Sequence, residues 1–286
     1  MQAQNDKKKA RPQQKQRRPG KEFEMNPIPE TAPLQQEMKL SGKAAIITGG
    51  DSGIGKATAI LFAKHGADIA IAYLSEIEDA KSTQQEVENL GRKCILIKGD
   101  LAKENNCKKA VQKTFDTFNR IDIVVNNAGL HWEAEGLEQI STDQLERTFY
   151  NNVFSYFWIT KYALAHMKEG SCIVNTTSVT AYRGSGKLID YASTKGAVIA
   201  FTRSLAQNLA HRKIRVNAVA PGPIWTPLIA STFDKKQVSE FGTDTPMGRA
   251  GQPNEVASCF LFLASEDASY LTGQCLHPNG GEILNT

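Results

Sequence analysis

A glycine-rich stretch reads Thr48-Gly49-Gly50-Asp51-Ser52-Gly53-Ile54-Gly55, and it follows the short apolar run Ala44 to Ile47. Glycines let a backbone turn sharply and approach a pyrophosphate, which then lies against the N-terminus of the next helix. The spacing G-x-x-x-G-x-G differs from the commoner G-x-G-x-x-G, and such a string is a weak signal alone. Because a predicted strand precedes it and a helix follows, dinucleotide binding is favoured over a purely structural turn.

Short apolar runs alternate with longer helical segments from Ser41 onward. The predicted strands cover residues 44–47, 68–73, 94–98, 121–125, 171–176, 214–219 and 274–277. The predicted helices cover about 54–64, 76–90, 102–118, 141–167, 190–211 and 254–264, with an irregular stretch to about residue 251. Strict alternation predicts an α/β fold: one doubly wound parallel sheet of about seven strands, with helices on both faces.

The N-terminal segment, residues 1–40, differs in composition from the rest. It holds nine Lys and Arg and five Asp and Glu, so its net charge of +4 equals that of the whole chain. We expect this basic tail to be largely disordered because it buries little apolar surface, and residues 41–286 to form one catalytic domain. Since that domain is balanced in charge, no nucleic-acid partner is expected.

The cysteines and the hydropathy of the chain indicate in which cellular compartment the protein is expected. The five cysteines are scattered and contain no C-x-x-C pair, which argues for a reducing compartment and against a structural metal site. The N-terminus lacks the apolar core of a secretory signal, and no apolar run approaches the ~20 residues that span a bilayer. A cytoplasmic protein with no metal and no membrane association is expected.

Tyr191 and Lys195 stand four residues apart in a predicted helix, so the phenol and the ammonium share one face. A neighbouring cation favours the phenolate and would lower the tyrosine pKa from its usual value near ~10 toward the working range of an acid/base group. Tyr-x-x-x-Lys also arises by chance. A core aromatic beside a solvated lysine is therefore the favoured interpretation of the pair by itself.

Several motifs together resemble the short-chain dehydrogenase/reductase family, whose fold is of the Rossmann type. They are Thr48 to Gly55, Asn126-Asn127-Ala128-Gly129 after the fourth strand, Tyr191 to Lys195, Pro221-Gly222 after the sixth strand, and Gly280-Gly281. The resemblance covers about residues 41–286, and the basic tail lies outside it. Each motif is moderately specific, and their common order and strand context make the likeness strong.

The resemblance implies a catalytic set of Ser178, Tyr191 and Lys195 supported by Asn152. Ser178 is matched because it lies at the end of the fifth strand, thirteen residues before Tyr191; the neighbouring threonines make it indistinct by sequence alone. In this family Ser178 and Tyr191 would bind the carbonyl oxygen, and Tyr191 would donate the proton. Asn152 would hold a water that links Lys195 to solvent.

The resemblance also implies the nucleotide contacts. The phosphate turn would comprise Gly49, Ser52, Gly53 and Ile54; the adenine would lie at Asp100 and Leu101, although Asp100 is also a plausible helix cap. The ribose and nicotinamide would contact Asn127, Ala128, Gly129, Tyr191, Lys195, Pro221, Gly222, Ile224 and Thr226.

The choice between NAD and NADP depends on charge near the end of the second strand. That end reads Ala72-Tyr73-Leu74-Ser75-Glu76, and the glycine turn contributes Asp51 where NADP-preferring members often have arginine. Two acids disfavour a doubly charged 2′-phosphate, so NAD is favoured over NADP.

Specificity is expected in loops beyond the carboxyl ends of the strands. Trp132 and Trp225 are the predicted substrate contacts, beside Ser178 and Tyr191, and the aromatic loops suggest an apolar aldehyde, ketone or secondary alcohol. Packing without substrate contact is equally compatible with each aromatic, and a loop histidine such as His131 is more often solvent-facing. Residues 227–245 are expected to form a mobile lid.

The resemblance further implies a homotetramer assembled through helices 141–167 and 190–211. Two other function classes remain open: a dinucleotide-sensing regulator on the same fold, and a stress-associated protein that acts through its tail. Such proteins would not need all four reacting positions, which are present here. An epimerase or a dehydratase is a further alternative within the fold.

Overall fold

A seven-stranded sheet forms the centre of the computed structural model, which describes residues 38–282. Its strands are β1 Ala44–Thr48, β2 Asp68–Tyr73, β3 Cys94–Lys98, β4 Ile123–Asn126, β5 Cys172–Thr176, β6 Arg215–Val219 and β7 Cys275–Leu276. They are all parallel, in the order β3-β2-β1-β4-β5-β6-β7. The predicted fold class is confirmed, and the predicted strands differ at their ends by a few residues at most.

Helices cover both faces of the sheet. They are α1 Gly53–Lys64, α2 Ile77–Asn89, α3 Glu104–Phe118, α4 Thr142–Phe149, α5 Ser155–Ala163, α6 Thr180–Arg183, α7 Ile189–Leu209, α8 Pro227–Thr232, α9 Lys235–Glu240 and α10 Pro253–Ala264. Successive residues of a strand point to opposite faces. Ile47 of β1 accordingly packs with Phe62 and Phe260, whereas Ile46 packs with Ile159 in a second core cluster.

One predicted helix is wrong in its continuity. Residues 141–167 form α4, a π-helical segment Tyr150–Phe154, and α5, which ends at Ala163. A π turn holds one extra residue, which interrupts the regular hydrogen-bond ladder and redirects side chains. Periodicity in the sequence does not reveal such an insertion, because the apolar residues on either side keep a helical spacing.

The stretch predicted to be irregular between β6 and residue 251 contains two short helices, α8 and α9. α9 begins at a capping box in which the Asp234 side chain accepts from Lys236 and Gln237 main-chain N–H groups. The Gln237 side chain bonds back to the Asp234 N–H. This local polar exchange stabilises a single turn and a half of helix that burial alone would not.

The predicted tail, residues 1–40, lies almost entirely outside the described residues. Leu40 is buried in the core, and Lys39 forms an ion pair with Asp267. The folded part therefore includes residues 39 and 40.

Within residues 38–282, no helix is long and apolar enough to cross a membrane. The same part of the chain contains no cluster of three His, Cys, Asp or Glu residues arranged to hold a metal ion.

Candidate active site

The glycine turn links β1 to α1 at the point where the strand order reverses between β1 and β4. Gly49 and Gly53 have φ values of +61° and +52°, the left-handed region that side chains disfavour. A Cβ at Gly55 would lie 1.9 Å from the main-chain oxygen of Gly49, so the turn closes on itself only with glycine there. The Ser52 side chain does not cap α1. The start of α1 lines the cavity at Ser52, Gly53 and Ile54, and an uncapped helix N-terminus can bind an anion there.

Asn127 braces this turn from the neighbouring strand. Its Nδ2 donates to the main-chain oxygens of Thr48 and Gly49, both at 3.1 Å. The Thr48 hydroxyl in turn accepts from the N–H groups of Asn127 at 2.9 Å and Ala128 at 3.0 Å. Asn127 thus lies in the cavity wall, as a cofactor contact would. Its side-chain amide, however, is engaged in stabilising the glycine turn. The part played by Thr48 was not foreseen.

A cavity of about 820 Å³ extends from the glycine turn across the carboxyl ends of the central strands. Most of the residues predicted to bind cofactor or substrate lie in its wall: Gly49, Ser52, Gly53, Ile54, Leu101, Asn127, Ala128, Gly129, Ser178, Tyr191, Lys195, Pro221, Gly222, Ile224 and Thr226. The parallel strands end at one edge of the sheet, which is why loops far apart in sequence meet there.

Four predicted site residues are absent from that wall: Asp100, Trp132, Asn152 and Trp225. Trp132 and Trp225 are 41% and 47% exposed, so the structure does not support their predicted contact with substrate. Their neighbours in sequence, His131, Ile224 and Thr226, line the cavity instead. The sequence of a loop does not indicate in which direction an aromatic side chain points.

Asp100 has a structural partner. Its carboxylate accepts from the Ala102 N–H at 3.0 Å and from Arg147 of α4 at 2.8 Å. Burial raises the pKa of this carboxyl, but the hydrogen bonds from Arg147 and Ala102 lower it by more. The pKa of Asp100 is therefore below its usual value. Asp100 does not cap α3, because α3 begins at Glu104 with Lys103 as its N-cap, so the helix-cap alternative is wrong. The neighbouring Gly99 and Leu101 form the cavity wall.

Tyr191 and Lys195 converge on the middle of the cavity from the first turns of α7. The Lys195 Nζ lies 5.4 Å from the centre of the Tyr191 ring and donates to the Thr176 main-chain oxygen at 2.9 Å. Ser178, two residues after β5, lies near enough to the phenol of Tyr191 to lower its pKa, and it accepts from the Thr180 hydroxyl at 3.0 Å. The structure thus brings together the three groups that the sequence matched.

Burial dominates the electrostatics of this trio. It raises the pKa of Tyr191 to about 12, against the opposing hydrogen bond from Ser178. Burial also lowers the pKa of Lys195 to about 7. The expectation that the ammonium would lower the tyrosine pKa is therefore wrong for this structure, because desolvation penalises both charged forms. Tyr191 is a protonated phenol at neutral pH.

Asn152 lies behind the trio, fully buried in the π-helical segment. Its Oδ1 accepts from the Leu130 N–H and its Nδ2 donates to the Leu130 oxygen, both at 2.9 Å. A Cβ built on Gly129 would lie 3.6 Å from this Oδ1 and 3.5 Å from the Lys195 Nζ. Asn152 thus positions the loop beside Lys195, and the expected water link between the two stays a prediction.

His131 belongs to a loop expected to carry specificity, and it does not face solvent as a loop histidine more often does. It lines the cavity, is only 6% exposed, and packs edge-on against Tyr191 with ring centres 5.0 Å apart. Burial, followed by the charge of Lys195, lowers its pKa to about 4, although Asp190 acts in the opposite direction. A neutral imidazole therefore stands beside the phenol.

The segment expected to form a lid contributes to the cavity through α8 and through the phenylalanines that follow α8 and α9. Ile229, Phe233 and Phe241 lie in the wall, and the Gln237 Nε2 bonds both carboxylate oxygens of Glu133 at 3.1 and 3.2 Å. The lid thus contacts the loop that bears His131, and its movement stays a prediction.

Acidic side chains lie at the opposite end of the cavity. Asp51, Glu76 and Asp79 all line the wall there. Burial raises the pKa of Asp51, and the charges of Glu76 and Asp79 raise it further. Lys98 lies near enough to affect Glu76, but it is not part of the wall. This end of the cavity is therefore electronegative.

The residues present fit a nicotinamide dinucleotide. A glycine turn too tight for side chains, an uncapped helix N-terminus and a cavity of about 820 Å³ suit a pyrophosphate with an extended ligand on either side.

Comparisons with known proteins identify the family to which this chain belongs. Residues 49–282 match a family model described as enoyl-(acyl carrier protein) reductase. The chain is 49% identical over 282 residues to NADPH-dependent aldehyde reductase 1, chloroplastic, of Arabidopsis thaliana, covering 96% of this chain and 98% of that protein. It is 48% identical over 283 residues to the glucose and ribitol dehydrogenase of Daucus carota, covering 96% and 97%.

A solved structure gives the same result. A short chain dehydrogenase from Burkholderia cenocepacia J2315 in complex with NADP superposes with a TM-score of 0.81 at 33% identity, covering 85% of this chain and 98% of that one. The shared fold thus extends over most of both chains. This chain belongs to the short-chain dehydrogenase/reductase family of NAD(P)-dependent oxidoreductases.

Proposed function

We propose that this protein transfers a hydride between a nicotinamide dinucleotide and a carbonyl or alcohol substrate, with Tyr191 as general acid and base. The observation that carries the proposal is the convergence of Ser178, Tyr191 and Lys195 in one cavity with the glycine turn. A dinucleotide sensor would bind at the same turn but would have no use for a buried phenol beside a lysine.

The chain's own residues handle the proton, while a bound nicotinamide supplies or accepts the hydride. In reduction, the hydroxyls of Ser178 and Tyr191 hydrogen-bond the carbonyl oxygen, and Tyr191 gives up its proton as negative charge develops there. A phenol whose pKa is raised to about 12 is fully protonated at neutral pH, which suits a proton donor. Lys195 stabilises the phenolate left behind, and alcohol oxidation follows the same path in reverse.

The substrate is proposed to be a small aldehyde or the corresponding alcohol, including sugars and polyols. Relatives whose names state aldehyde reductase and glucose and ribitol dehydrogenase support this class. The cavity wall supports it too, because it combines Leu188 and Phe233 with polar groups such as Ser185.

NAD is proposed as the preferred dinucleotide. A 2′-phosphate would lie at the electronegative end of the cavity, where Asp51, Glu76 and Asp79 would repel it. Two relatives have names that state NADP or NADPH, so a direct comparison of turnover with NADH and NADPH decides the point. A strong NADPH preference would contradict the proposal.

A homotetramer is proposed as the assembly. Leu145, Tyr150, Phe154 and Phe157 leave an exposed apolar surface on α4, the π-helical segment and α5, which a second copy would cover. Light scattering tests the assembly, and a monomer would overturn it.

The reaction is tested with a panel of aldehydes, ketones, sugars and an enoyl thioester, followed by loss of NADH absorbance. We expect the wild type to reduce aldehydes, and Tyr191→Phe to lower turnover by about 10²–10⁴-fold. Dinucleotide affinity, measured by fluorescence titration, should change little. Retained turnover would remove Tyr191 from the mechanism, and dinucleotide binding without turnover on any substrate would favour the sensor.

A further inference from the structure

His131 packs against the ring of Tyr191 in the wall of the cavity. Its ring centre lies 5.0 Å from that of Tyr191 and 5.6 Å from that of Phe233. No step of the proposed reaction uses it. A histidine held in this place is 94% buried from solvent yet lines the cavity, so it needs an explanation in terms of a ligand.

Among the described residues, none forms a hydrogen bond with the imidazole of His131. Its Nδ1 is buried and makes no hydrogen bond, whereas Nε2 is not buried without a partner in this way. Because the residue lines the cavity, Nε2 is the ring nitrogen left to meet a ligand there. A neutral imidazole carries one N–H and one lone pair. Because a buried N–H without an acceptor is rarer than an unpaired acceptor, the favoured tautomer carries its proton on Nε2. The ring therefore presents an N–H donor to the cavity.

The charge of the surroundings keeps this donor neutral. Burial and the neighbouring ammonium of Lys195 both act against protonation, and the carboxylate of Asp190 compensates only in part. A neutral N–H suits a hydroxyl oxygen, which is itself neutral. It would not draw in a carboxylate or a phosphate as an arginine would.

We propose that His131 determines specificity by donating from Nε2 to a hydroxyl group on the carbon next to the reacting carbonyl, so that the enzyme selects α-hydroxy aldehydes and, in the reverse direction, polyols. This inference rests on the proposed function, since it takes the carbonyl oxygen to bind at Tyr191. It also takes the adjacent carbon to lie on the side of the ring that His131 packs against. Phe233 completes the wall behind the imidazole.

Substrates with and without the adjacent hydroxyl should differ in the free energy of binding at His131. A substrate with the hydroxyl pairs the Nε2 donor, whereas one without it displaces water and leaves the donor unpaired. An unpaired polar group costs about 1–3 kcal/mol, and 1.4 kcal/mol corresponds to a tenfold change. We therefore expect discrimination of about tenfold to a hundredfold between matched substrates.

The test compares glyceraldehyde with propanal, both at equal concentrations of free carbonyl and with NADH. The wild type should show a kcat/KM at least tenfold higher for glyceraldehyde. His131→Phe should lower the ratio of the two kcat/KM values by about tenfold or more, and His131→Asn, which keeps a donor, should restore part of it. His211→Phe makes the same chemical change at an exposed position outside the cavity and should leave the ratio unchanged.

The outcomes separate this inference from the proposed function. If the wild type reduces neither aldehyde nor any other carbonyl compound, the proposed function fails. If it reduces both aldehydes with equal kcat/KM, or if His131→Phe leaves the ratio unchanged, the role of His131 is overturned while the reaction stands. His131→Phe and His131→Asn could both lose dinucleotide binding through misfolding. In that case the ratio of the two kcat/KM values in the wild type is the test, and a ratio near one overturns the role of His131.

Discussion

The Lys195 ammonium donates a hydrogen bond of 2.9 Å to the main-chain oxygen of Thr176, at the end of β5, while lying 5.4 Å from the Tyr191 ring. A lysine held in this way is fixed by the sheet and not by a carboxylate. Its charge is therefore solvated by one carbonyl dipole and by whatever the cavity binds, which explains why burial lowers its pKa to about 7.

This pKa predicts a pH-dependent stability. In the unfolded chain a lysine titrates near ~10.4, so between pH 7 and that value the unfolded state binds more protons than the folded state. The contribution of Lys195 to the unfolding free energy must then rise with pH above 7. We expect the difference in unfolding free energy between wild type and Lys195→Met to shift by about 2 kcal/mol in favour of the wild type from pH 7 to 9.

Urea unfolding without dinucleotide, at pH 7, 8 and 9, measures that shift. Subtracting the variant removes the effects of other groups. Tyr191 does not interfere, because its raised pKa reduces stability only above pH ~10. A difference that stays constant with pH would show that Lys195 is not desolvated as described.

Asn152 is predicted to stabilise the fold as well as the site. Replacing it with alanine leaves both the N–H and the oxygen of Leu130 without their partners. We expect Asn152→Ala to reduce the unfolding free energy by about 2–4 kcal/mol and to lower turnover. Thr194→Val removes only the 3.2 Å bond from the Asn152 Nδ2 and the bond to the Tyr191 oxygen, so its cost should be smaller. Equal costs would contradict this account.

The glycine turn is predicted to tolerate no side chain at position 55. A Cβ there would lie 1.9 Å from the Gly49 oxygen, so Gly55→Ala must open the turn. We expect a loss of stability of about 1–3 kcal/mol or more, together with a dinucleotide affinity at least tenfold weaker in fluorescence titration. Gly196→Ala is the matched control, because a Cβ at that helical position meets nothing within 4 Å. Its affinity should equal that of the wild type, and unchanged binding in Gly55→Ala would refute the role of the turn.

Glu76 is predicted to oppose NADPH. Removing its charge leaves less repulsion for a 2′-phosphate at the acidic end of the cavity. We expect Glu76→Gln to raise the ratio of kcat/KM for NADPH over NADH by about fivefold, since one charge pair at short range in water is worth about 1 kcal/mol. Glu78→Gln alters an exposed acid outside the cavity wall and should have no such effect. An identical ratio in all three proteins would exclude charge as the selecting factor.

Local signals in the sequence predicted much of the architecture. Buried strands read as apolar runs because both faces of a parallel sheet are covered, and the observed strands start and end within a few residues of those runs. The glycine turn was also evident, since left-handed φ values at Gly49 and Gly53 demand a residue without a side chain. The π-helical segment was missed, because its extra residue leaves the pattern of apolar residues nearly unaltered.

The sequence by itself determined the alternating fold, the phosphate turn and the helical pairing of Tyr191 with Lys195, because each depends on residues close together in the chain. Only the tertiary structure decided which loop residues face the cavity: His131 turns inward, whereas Trp132 and Trp225 remain exposed. It also decided the protonation of the site, where burial holds Tyr191 as a neutral phenol. Desolvation depends on everything packed around a group, and no local pattern of residues encodes that sum.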